Sequence, residues 1–429
     1  MIEKLKAPKS LKGTVLLPGD KSISHRYAML AAIAEGVSVI RSFAASRDCY
    51  STLECLRALG VETAAAGDTV TIHGRGLRGL RAPCRTLNAG NSGTTIRLLS
   101  GLLAGQSFAT SITGDESLSA RPMQRVIDPL KLMGAVIDSR EGGLPPLVIN
   151  GGSLKGIRYT MPVASAQVKS CILLAGLYAA GTATIEEIIP TRDHTEIALR
   201  EFGAGVNVSG NLIEVAPEPR LQARQLTVPG DLSGAAFFLI AAAMTPGSDI
   251  LLPGVGLNHR RRELVSYLVR AGMDLVIENE SEEGGEPRGD LRARYNPSLL
   301  MRGLPPVRGA EAAALIDEIP VLAVLGTQTA GGLEISDARE LRVKESDRIS
   351  AVADNLRAMG AEAAEKPDGL VIPGGRRLRG ADIRTRNDHR IAMAFAVAAL
   401  AAEGETRIHD AECAGVSFPG FWTALRKIG

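Results

Sequence analysis

The chain has 429 residues, 45% hydrophobic and 22% charged, which is long enough for two well-buried domains and too apolar for a disordered chain. Its 49 Lys and Arg against 47 Asp and Glu leave a net charge of +2, and aromatic residues make up only 3%. That balance excludes a strongly basic nucleic-acid binder, and so few aromatics exclude a stacking platform for single strands. Apolar runs reach about a dozen residues, as at 391–402, short of the roughly 18 that span a membrane. The opening MIEKLKAPKSLKG has no continuous apolar stretch, so no signal peptide is expected. The five cysteines, Cys49, Cys55, Cys84, Cys171 and Cys413, form no CxxC pair and support neither a zinc site nor a disulfide framework. A reduced, cytoplasmic protein without metal is the expectation.

In chain order, one plan recurs six times. LPGDKSISHRYAMLAAI begins at Leu17, NAGNSGTTIRLLSGLLAG at Asn88 and ASAQVKSCILLAGLYAAG at Ala164. VPGDLSGAAFFLIAAAM begins at Val228, DEIPVLAVLGTQTAGG at Asp317 and RNDHRIAMAFAVAALAAEG at Arg386. Each has a polar start and a helix of small and apolar residues. The two PGD copies stand about 210 residues apart, roughly half the chain.

Between these segments lies a more charged, amphipathic helix that stops at a glycine and re-emerges as a strand. Examples are STLECLRALGVET from Ser51, RVIDPLKLMGAVID from Arg125, EIALREFGAGVNV from Glu196, ELVSYLVRAGMDLVI from Glu263 and ISAVADNLRAMGAEA from Ile349; FWTALRKIG closes the chain. Apolar residues recur at helical spacing, and the glycine suits the left-handed position after a helix. TVLLP, DTVTIHG, PLVING and DGLVIPG read as strands.

The pattern predicts an α/β protein of six βαβαββ-like units, three per half, with the small-residue helices buried and the charged ones half exposed. Residues 1–20 plus 230–429 are expected to form one domain and 21–229 an inserted one. The hinge is placed near 13–20 and 227–231, with the active site in the cleft between the domains. SEEGGEPRGD, from Ser281, reads as a long surface loop.

Chemistry-bearing residues gather at helix starts, where unpaired N–H groups favour anions. Lys21, Ser22 and Arg26 stand at the first, Asn91, Ser92, Gly93 and Thr94 at the second, and Ser165 and Gln167 at the third. Asp317 and Glu318 open the fifth, and Asn387, Asp388, His389 and Arg390 the sixth. ELRVKESDR, from Glu340, packs Arg342, Lys344, Glu345, Asp347 and Arg348 together. Lys344 and Arg348, four apart, would share a helix face, and Glu345 would be a carboxylate in a cationic setting, suited to proton transfer. Arg386 and Arg390 could grip a carboxylate or phosphate. These residues point to a small molecule with several negative charges. HRRRE, at His259, reads as a solvated helix start, and Cys171 as core packing.

LPGDKSISHR, NAGNSGTTIR, DESLSARPM, ASAQVKS, TRDHTE, DEIP, RVKESDR and RNDHR together resemble the 5-enolpyruvylshikimate 3-phosphate synthase family, in order and over essentially the whole chain. The resemblance implies a two-domain inverse (inside-out) α/β barrel. It implies transfer of the enolpyruvyl group of phosphoenolpyruvate to the 5-hydroxyl of shikimate 3-phosphate with release of phosphate, a step toward chorismate and the aromatic amino acids. No cofactor is implied, the enzyme is expected to be a monomer, and glyphosate is expected to compete with phosphoenolpyruvate. Carried over residue by residue, Lys21, Ser22, Arg26, Ser165, Gln167, Arg192, Asp317 and Lys344 would bind shikimate 3-phosphate. Lys21, Gly93, Arg121, Gln167, Arg348 and Arg390 would bind phosphoenolpyruvate. Asp317 would take the hydroxyl proton, and Glu345, with Lys21, would serve the methylene carbon.

Two positions depart from the family pattern. Val416 stands where many members carry Lys before Ser417-Phe418-Pro419, and Ser165-Ala166 replaces a double Ser. Two other readings compete. A UDP-N-acetylglucosamine enolpyruvyl transferase of the same fold would carry Lys-Asn near the first helix and a Cys in the loop before its ARP motif, where this chain has Lys21-Ser22 and TGDESLSARP. A non-catalytic anion-binding repeat protein would not need Asp317 and Glu345 among so many cations.

Overall fold

A computed structural model describes all residues, 1–429. The chain forms two compact units. The first comprises Met1–Pro18, Pro229–Ser281 and Pro287–Gly429, and the second comprises Gly19–Val228 with Glu282–Glu286.

The predicted helix pairs are present. The small-residue helices are α1 (Lys21–Ala32), α3 (Gly93–Ala104), α5 (Ala166–Gly176), α7 (Leu232–Met244), α9 (Ile319–Gln328) and α11 (His389–Ala399). The charged helices alternate with them as α2 (Arg47–Ala58), α4 (Gln124–Leu132), α6 (His194–Glu201), α8 (Glu263–Arg270), α10 (Arg348–Ala358) and α12 (Phe421–Ile428). Every residue of α7 is buried, whereas α8 buries only its Leu264, Val265, Tyr267 and Leu268 face. Small residues let the buried helices approach to backbone contact: a β-carbon on Gly101 of α3 would lie 2.2 Å from the Cys171 carbonyl oxygen of α5. The charged helices end as the sequence implies, with Gly60, Gly134, Gly203, Gly272 and Gly360 all at positive φ.

The strands repeat one sheet plan. In the second unit, Ala109–Thr113 pairs in parallel with the short edge strand Leu87–Asn88 and antiparallel with Leu144–Asn150, which in turn pairs antiparallel with Val136–Arg140. Arg158–Met161, Ala183–Glu187, Leu212–Val215 and Val206–Ser209 follow the same order and directions. So do Gln225–Thr227, Glu35–Arg41, Thr69–Arg75 and Glu62–Ala66, whose edge strand comes from the far end of the unit. In the first unit the plan recurs around Asp249–Gly256, around Leu333–Ile335 and around Thr406–His409. The last sheet lacks its own hairpin and is completed by the N-terminal strand Ile2–Leu5. Each unit therefore surrounds one apolar core of buried helices with three such sheets and one two-stranded pair, Leu154–Lys155 with Ala179–Ala180 in the second unit and Leu378–Arg379 with Ala402–Glu403 in the first.

Two local expectations need correction. SEEGGEPRGD is not a loop: it is the tip of a hairpin between Asp274–Glu283 and Glu286–Arg294, turning on Gly284 and Gly285 at φ 59° and 73°. Two consecutive positive φ values are what a two-residue hairpin turn demands, and only the charge of the flanking residues hid it. The shared helix face of Lys344 and Arg348 is also absent. A 3₁₀ turn, Arg339–Val343, precedes an extended Lys344, and α10 begins only at Arg348 because Asp347 caps it.

Candidate active site

In the second unit, cations converge on the starts of α1, α3 and α5. Asp20 caps α1 through the Ile23 amide at 3.0 Å, so Lys21 and Ser22 stand on its first turn. Lys21 Nζ lies 2.9 Å from Asp48 Oδ2 of α2. Arg26 is 4% exposed, and its guanidinium is fixed on three sides: Nε donates to Thr195 Oγ1 at 2.6 Å, Nη2 to Ser170 Oγ at 2.7 Å and Nη1 to the Ser22 carbonyl at 2.8 Å. Burial lowers its pKa to about 10, against the pull of Glu196 and Asp20.

Ser92 caps α3 by accepting from the Thr95 amide at 3.1 Å, which puts Gly93 at the first helical position. Arg97, one turn on, donates to Gln167 Oε1 at 2.8 Å, and Gln167 Nε2 donates to Thr94 Oγ1 at 2.9 Å. This bridge orients Gln167 between the two helix starts. Arg121 donates to Asn91 Oδ1 at 2.9 Å and to Ser117 Oγ at 3.0 Å. Ser165 caps α5 with its hydroxyl oxygen, 3.4 Å from the Val168 amide, and Ala166 adds no second hydroxyl. Arg192 is half-buried in the segment before α6.

The first unit gathers carboxylates around two arginines. Arg348 is 1% exposed. Its Nε donates to Asp388 Oδ2 at 2.8 Å and its Nη2 to Glu345 Oε2 at 2.6 Å, while Nη1 lies 3.5 Å from Asp317 Oδ1. Burial opposes the Arg348 charge, but Asp388, Glu345 and Asp317 outweigh it and raise its pKa. Arg390 Nη1 donates to the Asp317 carbonyl at 2.9 Å, and Nη2 stands 3.8 Å from Asp317 Oδ2. Asp388 caps α11 through the Arg390 amide at 2.9 Å. Arg386 and Asn387, at φ 53° and 57°, make the tight approach to that cap. Lys344 is half-buried; desolvation lowers its pKa, with Asp317 resisting.

The structure thus brings Lys21, Arg26, Gly93, Arg121, Ser165, Gln167 and Arg192 to helix starts of one unit, and Asp317, Lys344, Glu345, Arg348 and Arg390 to those of the other. Arg386, read as able to grip a carboxylate or phosphate beside Arg390, stands apart from the Arg348 cluster: its Nη2 donates to Asp354 Oδ2 at 2.6 Å on a half-open surface. Sequence reasoning missed Asp48, Arg97 and the burial of Asp388. It also misread HRRRE. Arg261 is 7% exposed, donates to Ser233 Oγ at 2.6 Å and stands 3.6 Å from Asp231, the α7 cap. A run of charges shows which residues could pair but not which one the fold will bury.

Both clusters suit acyl- or alkyl-like transfer between anions: fixed cations to hold negative groups, and carboxylates among cations to move protons. Comparison with known proteins supports that chemistry. The EPSP synthase (3-phosphoshikimate 1-carboxyvinyltransferase) family model matches residues 5–425. The 3-phosphoshikimate 1-carboxyvinyltransferase of Solibacter usitatus (strain Ellin6076) is 52% identical over 428 residues, covering 100% of both chains. That of Pelotomaculum thermopropionicum is 51% identical over 422 residues, covering 98% of this chain and 97% of its own. The solved EPSP synthase of Acinetobacter baumannii superposes with a TM-score of 0.88 at 43% identity, over 100% of this chain and 98% of that one. The enolpyruvyl transferase NikO from Streptomyces tendae, at 19% identity and TM-score 0.79, covers 100% of this chain and 97% of its own and shares the inside-out α/β fold. With the helix-start clusters, the repeated sheets and these likenesses in agreement, the chain belongs to the EPSP synthase family.

Proposed function

We propose that the helix-start residues of both units serve one pair of substrates, shikimate 3-phosphate and phosphoenolpyruvate. The chain catalyses transfer of the enolpyruvyl group from the second to the 5-hydroxyl of the first, releasing phosphate. The observation that carries the residue assignment is the buried Arg348 guanidinium, which meets Asp317, Glu345 and Asp388 at once.

Two protons move in the addition and two in the elimination. Asp317 takes the proton of the 5-hydroxyl as its oxygen bonds to the central carbon of phosphoenolpyruvate, and Glu345 delivers a proton to the methylene carbon. The methyl group so formed returns that proton to Glu345 as the C–O bond to phosphate breaks, restoring the double bond, and the departing phosphate takes up the hydroxyl proton held by Asp317. Arg348 holds both carboxylates in place while binding the phosphoenolpyruvate anion with Arg390, Arg121, Gln167 and the open backbone at Gly93. Lys21, Ser22, Arg26, Ser165, Gln167 and Arg192 hold shikimate 3-phosphate. Lys344, its pKa lowered by burial, stands ready to share a proton with Asp317.

In this reading the units close on bound substrate about 13–20 and 227–231, excluding water from the cationic intermediate. The enzyme works in the cytoplasm as a monomer, and glyphosate competes with phosphoenolpyruvate. Phosphate release from phosphoenolpyruvate, followed with each acceptor in turn, tests the assignment. Release is expected with shikimate 3-phosphate and not with UDP-N-acetylglucosamine; the reverse preference would overturn it.

A further inference from the structure

We propose that Lys169 is a positioning residue for shikimate 3-phosphate, acting through Glu187 and Thr191 on the adjacent Arg192. The inference rests on the reading above that Arg192 binds that substrate. Lys169 lies one turn into α5, is 1% exposed, and faces away from solvent into two buried carboxylates. Its Nζ is 2.6 Å from Glu196 Oε1 on α6 and 3.1 Å from Glu187 Oε2 at the end of Ala183–Glu187. It also lies 3.5 Å from the Thr191 carbonyl oxygen. Glu187 Oε1 accepts from the Thr191 amide at 3.0 Å and from the Thr191 hydroxyl. The peptide groups on both sides of Thr191 are therefore pinned by one buried ion cluster, and Arg192 is the next residue.

A second tie runs beside the first. Ser170 Oγ and Thr195 Oγ1 are 2.6 Å apart, and both accept from Arg26. Adjacent residues of α5, Lys169 and Ser170, thus latch adjacent residues of α6, Glu196 and Thr195, and the latch sets both arginines assigned to shikimate 3-phosphate. A buried ion pair is weak evidence for stability, since well-packed apolar residues often do as well. What an apolar replacement would not supply is directional bonds to the Thr191 backbone. The role matters more in this chain because Ala166 offers no hydroxyl at the start of α5, leaving more of the phosphate to Arg192.

Steady-state kinetics of Lys169→Met, Glu187→Gln, Arg192→Ala and the Lys169→Met/Arg192→Ala pair test the proposal. Each single variant is expected to raise the shikimate 3-phosphate KM by about tenfold or more, the loss typical of a charge-assisted hydrogen bond. The phosphoenolpyruvate KM and kcat should stay within about threefold, and Lys169→Met should add little once Arg192 is gone, because coupled residues are not additive. If Lys169→Met does not fold, Glu187→Gln carries the test. A normal KM in Lys169→Met and Glu187→Gln, beside a raised one in Arg192→Ala, overturns the proposal alone. Equal effects on both substrates, or full additivity in the double variant, overturn it too. A normal KM in Arg192→Ala overturns the reading on which it rests.

Discussion

At Gly93 an added β-carbon would sit 2.6 Å from Arg97 Nη1 and 3.8 Å from Arg121 Nη1. The obstacle is the end of a flexible side chain, so Gly93→Ala is expected to fold. It should push Arg97 off Gln167 and crowd the anion bound there, at about 1–3 kcal/mol, or roughly 5- to 150-fold in affinity. Glyphosate, longer than phosphoenolpyruvate, is expected to lose more than the substrate does. Its inhibition constant and the phosphoenolpyruvate KM, measured in both forms, check this; equal losses or none would contradict the placement of Gly93. At this scale the sequence revealed the residues that start helices, because capping and anion binding are local properties. It did not reveal Arg97, Asp48 or Arg261 as parts of the clusters. Their roles depend on which neighbour the fold supplies across tens of residues, such as Gln167 for Arg97.

Helices were legible for the same local reason: a cap in front, a left-handed glycine behind, and small residues between. What escaped was structure set by contacts between elements. His25 is an example. It sits fully buried on α1, and its Nδ1 pairs with Thr52 Oγ1 of α2 at 2.7 Å. Thr52 then meets Thr95 Oγ1 of α3 at 2.7 Å, and Thr95 donates to the cap residue Ser92 at 2.7 Å. This chain of polar groups ties three helices of one core, and His25 Nε2 finds no partner in it. Burial, with Lys21 and Arg26 nearby, holds the His25 pKa well below its ordinary 6.5. The unfolded chain takes up that proton first as pH falls. Stability from neutral His25 is therefore complete above about pH 6.5 and declines below it, at about 1.4 kcal/mol per pH unit, down to the folded-state value. Thermal midpoints between pH 7.5 and 5.5 should fall more steeply in the wild type than in His25→Gln. Parallel curves would show that His25 is not held neutral.

Over the whole molecule, six copies of one sheet-and-helix plan account for both units, and each unit closes by pairing a strand from one end of its chain with a sheet from the other. Gln225–Thr227 completes the first sheet of its unit, and Ile2–Leu5 the last sheet of the other. The repeat was visible in the sequence because its glycines and small-residue helices recur at similar spacing; the closing strands were not, since short edge strands carry little pattern. The proposed reaction draws on Lys21 from one unit and Asp317 from the other. Small-angle scattering is accordingly expected to show a smaller radius of gyration at saturating shikimate 3-phosphate, and an unchanged radius would count against closure.

In the proposed reaction cations hold the substrates and carboxylates move protons, and Asp317→Ala tests that division of labour most directly. Asp317 touches Arg348 and Arg390 and is assigned the proton of the 5-hydroxyl. Its removal should leave the dissociation constant for shikimate 3-phosphate, measured by calorimetry, within about threefold. Turnover in the same preparation should fall by roughly 10²–10⁴-fold, the usual worth of a general base. Turnover within about fivefold of the wild type would contradict the assignment, as would a loss of affinity large enough to account for the whole defect.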